Sequence, residues 1–188
     1  MLEMQGVVTA EFRSICLVDD PRAHPDYPEV EPEEDVDDYL PPPDPPEGFD
    51  LLTAAPGVVT VTTGVMRGQV GLTIRVLDGE PSQLAPGDWD AIEEIGFRAL
   101  SSYTRAASGE YYPYAADGPG PFTQSVTPDG PGFYRVRAYE SNRSLALGES
   151  REDGDPATEE RYLLEVWPST TGDVDRRRLK GPHPPMLS

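Results

Sequence analysis

QVGLTIRVL, residues 69–77, decides the fold: Val70, Leu72, Ile74 and Val76 alternate strictly with Gln69, Gly71, Thr73 and Arg75. A period of two places the apolar set on one face of a pleated strand and the polar set on the other. Just before it, VVTVTTGV (58–65) is a second β-rich run, and the Arg67-Gly68 step between them reads as the turn of a hairpin.

The same signal recurs outward in both directions. GVVTAEFRSICLV (6–18) reads as one half-buried strand with Val8, Ala10, Phe12, Cys16 and Val18 on a single face. Trp89, Ile92 and Ile95 are spaced by three, which predicts a helical turn at Trp89. A strand follows from about Glu93, because Gly96 weakens a helix interior and Phe97 suits a pleat. Asp129-Gly130 and Gly132 introduce a strand over 133–139, with Tyr134, Val136 and Ala138 opposed to Phe133, Arg135, Arg137 and Tyr139. Its polar face is expected to be solvated or to meet a partner. ERYLLEVWP (160–168) closes the regular part.

Short strands, frequent turns and no amphipathic helix predict an all-β fold, an antiparallel β-sandwich. The expected organisation is a single domain over 1–168. An acidic, Pro-rich loop (19–57) is inserted after the first strand, and a basic, flexible tail occupies 169–188. The 22 prolines and 18 glycines among 188 residues agree with so much turn and loop.

Charge narrows the function classes. The chain carries 34 acids against 15 bases, a net charge of −19, which repels nucleic acid and anionic lipid. Residues 19–50 alone hold 13 acids, nine prolines and the single base Arg22. Too little apolar surface is present there to offset the entropy of ordering that backbone. Of the bases, 14 are arginine and one is Lys180, as in the codon usage of a high-GC bacterial genome. No run of apolar residues is long enough to span a bilayer, and MLEMQGVV has no secretory character, so a cytoplasmic location is expected.

Chemistry is sought with little return. Cys16 is the only cysteine and sits within a strand alternation, which predicts a buried thiol. His24 and His183 each precede a proline far from any cysteine, so neither a zinc site nor a histidine-based triad is expected. A calcium loop fails on spacing from Asp35, where Leu40 takes the glycine position. It fails from Glu149 because Arg151 falls on a ligand position. Adjacent Glu93 and Glu94 point to opposite faces of a strand and form no acid pair. No cofactor is implied, and the chain is read as a non-enzyme.

Binding is the better prospect. Glu31, Glu33, Glu34, Asp35, Asp37 and Asp38 could present carboxylates to a basic partner. Tyr111, Tyr112 and Tyr114, with Tyr103 and Phe122 nearby, could anchor an interface or plug one end of the sandwich.

Three blocks carry a resemblance over 58–168. They are Trp89 with Glu93-Glu94, then Gly132-x-Tyr134-Arg135-Val136-Arg137, then Tyr162-x-x-Glu165-x-Trp167-Pro168. In their order the chain resembles small bacterial β-sandwich proteins of unknown or immunity-type function, and distantly the competence protein J group of nuclease inhibitors. The resemblance implies a compact β domain that binds another protein, and it carries over no functional residue. The expected function is therefore an acidic protein-binding module, an inhibitor or immunity factor for a basic nuclease or toxin. The alternatives are a structural subunit that uses its arm and tail to contact neighbours, and a hydrolase built on loop carboxylates.

Overall fold

The structure is a computed structural model, and it describes residues 1–19, 50–108, 121–152 and 155–181. Among the described residues ten strands run in chain order: β1 (Leu2–Ala10), β2 (Ser14–Asp19), β3 (Leu52–Ala55), β4 (Val58–Thr62), β5 (Gly68–Val76), β6 (Ala91–Ala99), β7 (Thr104–Ser108), β8 (Gly132–Ser141), β9 (Arg161–Pro168) and β10 (Arg177–Lys180). A 3₁₀ turn spans Arg143–Ala146.

The strands form two sheets, one of six in the order β1-β5-β9-β8-β6-β10 and one of four in the order β3-β4-β2-β7. Every pairing is antiparallel except β5 with β9, which run parallel from Gly71↔Arg161 to Val76↔Val166. The all-β, sandwich-like architecture is as expected, with a mixed larger sheet.

Alternation sets the core. Val70, Leu72 and Ile74 of β5, Ile95 and Phe97 of β6, Val136 and Ala138 of β8, and Leu164 and Val166 of β9 meet Ile15 and Leu17 of β2 and Val59 and Val61 of β4. Burying each larger aliphatic or aromatic side chain contributes about 1.5–3 kcal/mol. Phe122 joins this core, so it fills the sandwich, whereas Tyr103 is exposed.

Five local expectations are corrected. Residues 6–18 are two strands, not one: a reversal at Phe12-Arg13 carries the chain from the larger sheet to the smaller. Its ends are closed by Glu11 N to Ser14 O (3.1 Å) and Ser14 N to Glu11 O (2.9 Å). Both central residues have positive φ, 50° and 61°. The break shifts the phase, so Ile15 and Leu17 face the core while Cys16 and Val18 fall in a smaller separate cluster with Val58 and Ala107.

The runs at 58–65 and 69–77 do not form a hairpin, because β4 and β5 lie in different sheets. The link between them is held by other segments. Thr63 N donates to Arg13 O, Gly148 N to Gly64 O, and the Gly64 and Val65 N–H groups to the carboxylate of Glu160.

No helical turn forms at Trp89. Its ring lies 5.5 Å from that of Tyr139, over the cluster of Ile92, Tyr139 and Leu163 on the side of the larger sheet away from the main core. The spacing by three reflects a loop folded across a sheet.

Arg135 and Arg137 are not solvated; both are buried. Finally, the tail after Pro168 returns to the sheet, since β10 pairs with β6 through Arg177↔Glu94, Arg178↔Glu93 and Lys180↔Ile92, with an irregularity between Arg178 and Lys180. Apolar patterning could not reveal this strand, because all four of its residues are exposed.

Candidate functional site

The densest polar construction lies around β6. Its pleat sends Glu93 and Glu94 to opposite sides, as expected, and each carboxylate gathers a different set of donors.

Glu94 is buried between two strand neighbours. Arg135 Nε donates to its Oε1 at 2.6 Å, and Arg137 donates from Nε and Nη2 to its Oε2 at 3.0 and 2.8 Å. The Arg137 guanidinium also lies 5.1 Å from the centre of the Trp167 ring, a cation–π contact. Burial disfavours its charge, but the hydrogen bonds to Glu94 and Tyr139 and the field of Glu94 outweigh burial and raise its pKa. Glu165 continues the network by accepting from Tyr139 Oη at 2.6 Å. Burial and that carboxylate together push the Tyr139 phenol up.

Glu93 works toward the other sheet. Its Oε2 accepts the N–H groups of Leu51 and Leu52, at 2.9 and 3.2 Å, and so fixes the entry to β3. Its Oε1 accepts from Arg178 Nε of β10 at 3.0 Å. Asp50 stands beside it, 3.2 Å from Arg178 Nη2 and paired with Arg176 as well.

The segment leading into β10 is held through its backbone. Arg135 donates to the carbonyl oxygens of Asp173 (3.3 Å) and Asp175 (3.0 Å). Gly96 of β6 leaves the space that the Asp173 carbonyl occupies, and a Cβ at this position would collide with it. The Asp173 carboxylate accepts from Asp175 N and from Arg177 Nη2, both at 2.8 Å. The Asp175 N–H outweighs desolvation, and Arg135 and Arg177 add to it, so the acid lies below its ordinary pKa. Lys180 donates to the Trp89 carbonyl. The outcome is an edge lined by Asp50, Glu93 and Glu94, with the arginines of β10 seated on it and Asp173 bracing Arg177 within the same segment.

Two further carboxylates are committed to the scaffold. Asp19 accepts from Leu100 N (2.6 Å), Ser101 N (3.2 Å), Ser101 Oγ (2.7 Å) and Thr104 Oγ1 (2.9 Å). Glu160 accepts from Tyr162 Oη at 2.6 Å besides Gly64 and Val65, and burial raises its pKa in spite of those donors.

The chain matches no protein-family model and no curated protein. Among solved structures it is similar to ComJ from Bacillus subtilis, described as an inhibitor of the DNA-degrading activity of NucA. The identity is 9% and the TM-score 0.44, over 90% of this chain and 100% of that one. It is also similar to a protein described as crocagin biosynthetic gene J, at 16% identity and a TM-score of 0.41, over 89% and 99% of the two chains. The resemblance to ComJ is distant.

Of the residues singled out from sequence, Glu31, Glu33, Glu34, Asp35, Asp37, Asp38, Tyr111, Tyr112 and Tyr114 lie outside the described residues, as do His24 and His183. Among the described residues no group of three or more His, Cys, Asp or Glu could hold a metal ion. Glu149 instead pairs with Arg151 at 2.9 Å. Also among them, no helix is long and apolar enough to cross a membrane. Apolar patterning did not point to Glu93 as a partner of the β10 arginines. The signal was present in the unbroken basic run from Arg176 to Arg178, but its partners lie 80 or more positions away in the chain.

Proposed function

We propose that this chain is a non-catalytic binding protein that inhibits or neutralises a basic nuclease or toxin. The carrying observation is how the carboxylates divide. In the folded body, Asp19, Glu93, Glu94, Glu160 and Glu165 each hold backbone N–H groups, hydroxyls or guanidinium groups, and none is left poised for proton transfer to a substrate. Residues 20–49, by contrast, bring 11 acids against one base.

Both ends of that acidic run adjoin fixed points, Asp19 at the end of β2 and Asp50 before β3. Carboxylates at this density can stand in for nucleic-acid phosphates in a positively charged cleft, and complementary potential speeds encounter. The role named for ComJ is inhibition of a DNA-degrading activity, and the reading here rests on the charge division.

An inhibition titration tests it. The protein is added to a basic nuclease from its host digesting duplex DNA, at about 50 and about 300 mM salt, where screening differs strongly. Inhibition is expected at low salt. It is expected to be lost when Glu31, Glu33 and Glu34 become Gln and Asp35, Asp37 and Asp38 become Asn. Full inhibition by the neutralised variant would refute the reading, and so would substrate turnover by the protein itself.

A further inference from the structure

β10 is held unlike the other strands of the larger sheet. It is four residues long, exposed throughout and interrupted by an irregularity. Beside its main-chain pairing with β6 it is attached by ion pairs: Arg176 and Arg178 sit on Asp50 and Arg178 on Glu93, whereas Arg177 pairs with Asp173 of its own segment. Leu179 and Val174, the apolar residues nearby, are both largely exposed. The arginines of these pairs are partly exposed while the carboxylates of Glu93 and Asp50 are buried, and all four residues of β10 are exposed, so the edge keeps its demand for a cation when β10 leaves and another strand that brings arginine can take its place.

Under β10 lies the edge of β6. It offers backbone N–H and C=O groups, as any sheet edge does. It also has two specific features, the buried carboxylates of Glu93 and Glu94 and the gap at Gly96 that admits a main-chain carbonyl.

We propose that the β6 edge is a docking site for an extended, arginine-rich segment of the partner protein, and that β10 occupies this site in cis until the partner displaces it. The basic character of the partner rests on the function proposed above. The seating of a basic strand on the edge does not. Recognition is by strand addition: main-chain hydrogen bonds supply attraction and alternate side chains supply specificity. Here Arg178, beside the irregularity, meets Glu93 and Asp50. A tethered strand competes at high effective concentration, so the apparent affinity for a strand in trans falls by the fraction of time that the edge is open.

The test uses the full chain and a fluorescein-labelled peptide of residues 174–181, VDRRRLKG, with binding followed by anisotropy. In the Arg176→Glu/Arg178→Glu variant the cis strand is repelled, and the peptide is expected to bind roughly ten-fold or more tighter than to the unaltered chain. Adding Asp50→Asn to that variant should weaken peptide binding and its salt dependence. A Leu179→Pro variant, which removes a main-chain donor from β10 and leaves the β6 edge and every charge intact, provides a second route to release the cis strand. Hydrogen exchange at β5 and β9, which β10 does not cover, confirms that the fold is retained.

Equal peptide affinity in all of these chains would overturn the proposal. A concentration-dependent dimer that exchanges β10 would overturn the choice of a foreign strand in favour of a second copy. If the peptide binds but no nuclease is inhibited, the docking edge stands and the proposed target falls. If a nuclease is inhibited and no chain binds the peptide, the edge proposal alone fails.

Discussion

Glu94 of β6 and Arg137 of β8 face each other across neighbouring strands, with Nε and Nη2 of the arginine both directed at one carboxylate oxygen and both residues buried. Arg135 binds the other oxygen, so a single carboxylate bridges two buried guanidinium groups, with Asp173 3.4 Å from Arg135 and Glu165 4.0 Å from Arg137 to balance the second charge. Such an arrangement resists the loss of one member far more than replacement of the whole set, because the cost lies in the charge left behind.

Glu94→Gln should therefore lower unfolding stability by about 3–5 kcal/mol, the range for breaking a buried ion pair. Arg177 approaches the same carboxylate only to 4.0 Å and is half exposed, so Arg177→Gln should cost no more than about 1 kcal/mol. Urea denaturation of the two variants gives the comparison. Equal losses would show that the network is not closed as described.

Glu160 supplies a pH dependence. Burial raises its folded pKa above the ordinary 4.5, so between that value and the raised one the folded state binds more protons than the unfolded state. By linkage, this group's contribution to stability falls as pH rises through that window and recovers as pH falls. The stability of the unaltered chain relative to Glu160→Gln should thus improve on acidification from neutral pH toward the ordinary 4.5. Paired urea titrations at several pH values would reveal it, and a difference that shrinks on acidification would contradict the shift.

Cys16 should be inert in the folded protein. Desolvation outweighs the hydrogen bonds from Thr60 and Ser14 and pushes the thiol pKa up to about 11. At pH 8 only about one thiol in a thousand is then the nucleophilic thiolate. Labelling with a thiol-specific disulfide reagent should be complete within seconds in urea and very slow without it. Rapid labelling of the native chain would place Cys16 outside the packed cluster.

Phe12 offers a stabilising substitution. A two-residue reversal with both central φ values positive suits Asn or Gly, and a bulky residue there is strained. Phe12 is 73% exposed, so little packing is lost on replacement. Phe12→Asn should raise stability by about 0.5–1 kcal/mol. A clear loss in thermal or urea midpoint would mean that the ring makes a contact that matters for the fold.

Local periodicity made the strands legible wherever one face met the core. The pattern at 69–77 gave β5, the opposition of Tyr134, Val136 and Ala138 to the arginines gave β8, and the parity of Glu93 and Glu94 placed them on opposite sides of β6. It failed where the chain changed sheets. A turn at Phe12-Arg13 uses none of the usual turn residues, and the link from β4 to β5 looks like a hairpin until Glu160, far along the chain, is seen to bind it.

What the amino-acid order determined alone is the β class, the acidic excess and its concentration between Asp19 and Asp50, since strand alternation and charge are properties of neighbours in the chain. The partnership of strands, the burial of Arg135 and Arg137 on Glu94, and the return of the basic tail to the β6 edge were decided only by tertiary structure. Those depend on which carboxylate comes within about 3 Å of which guanidinium, a distance that sequence separation does not encode.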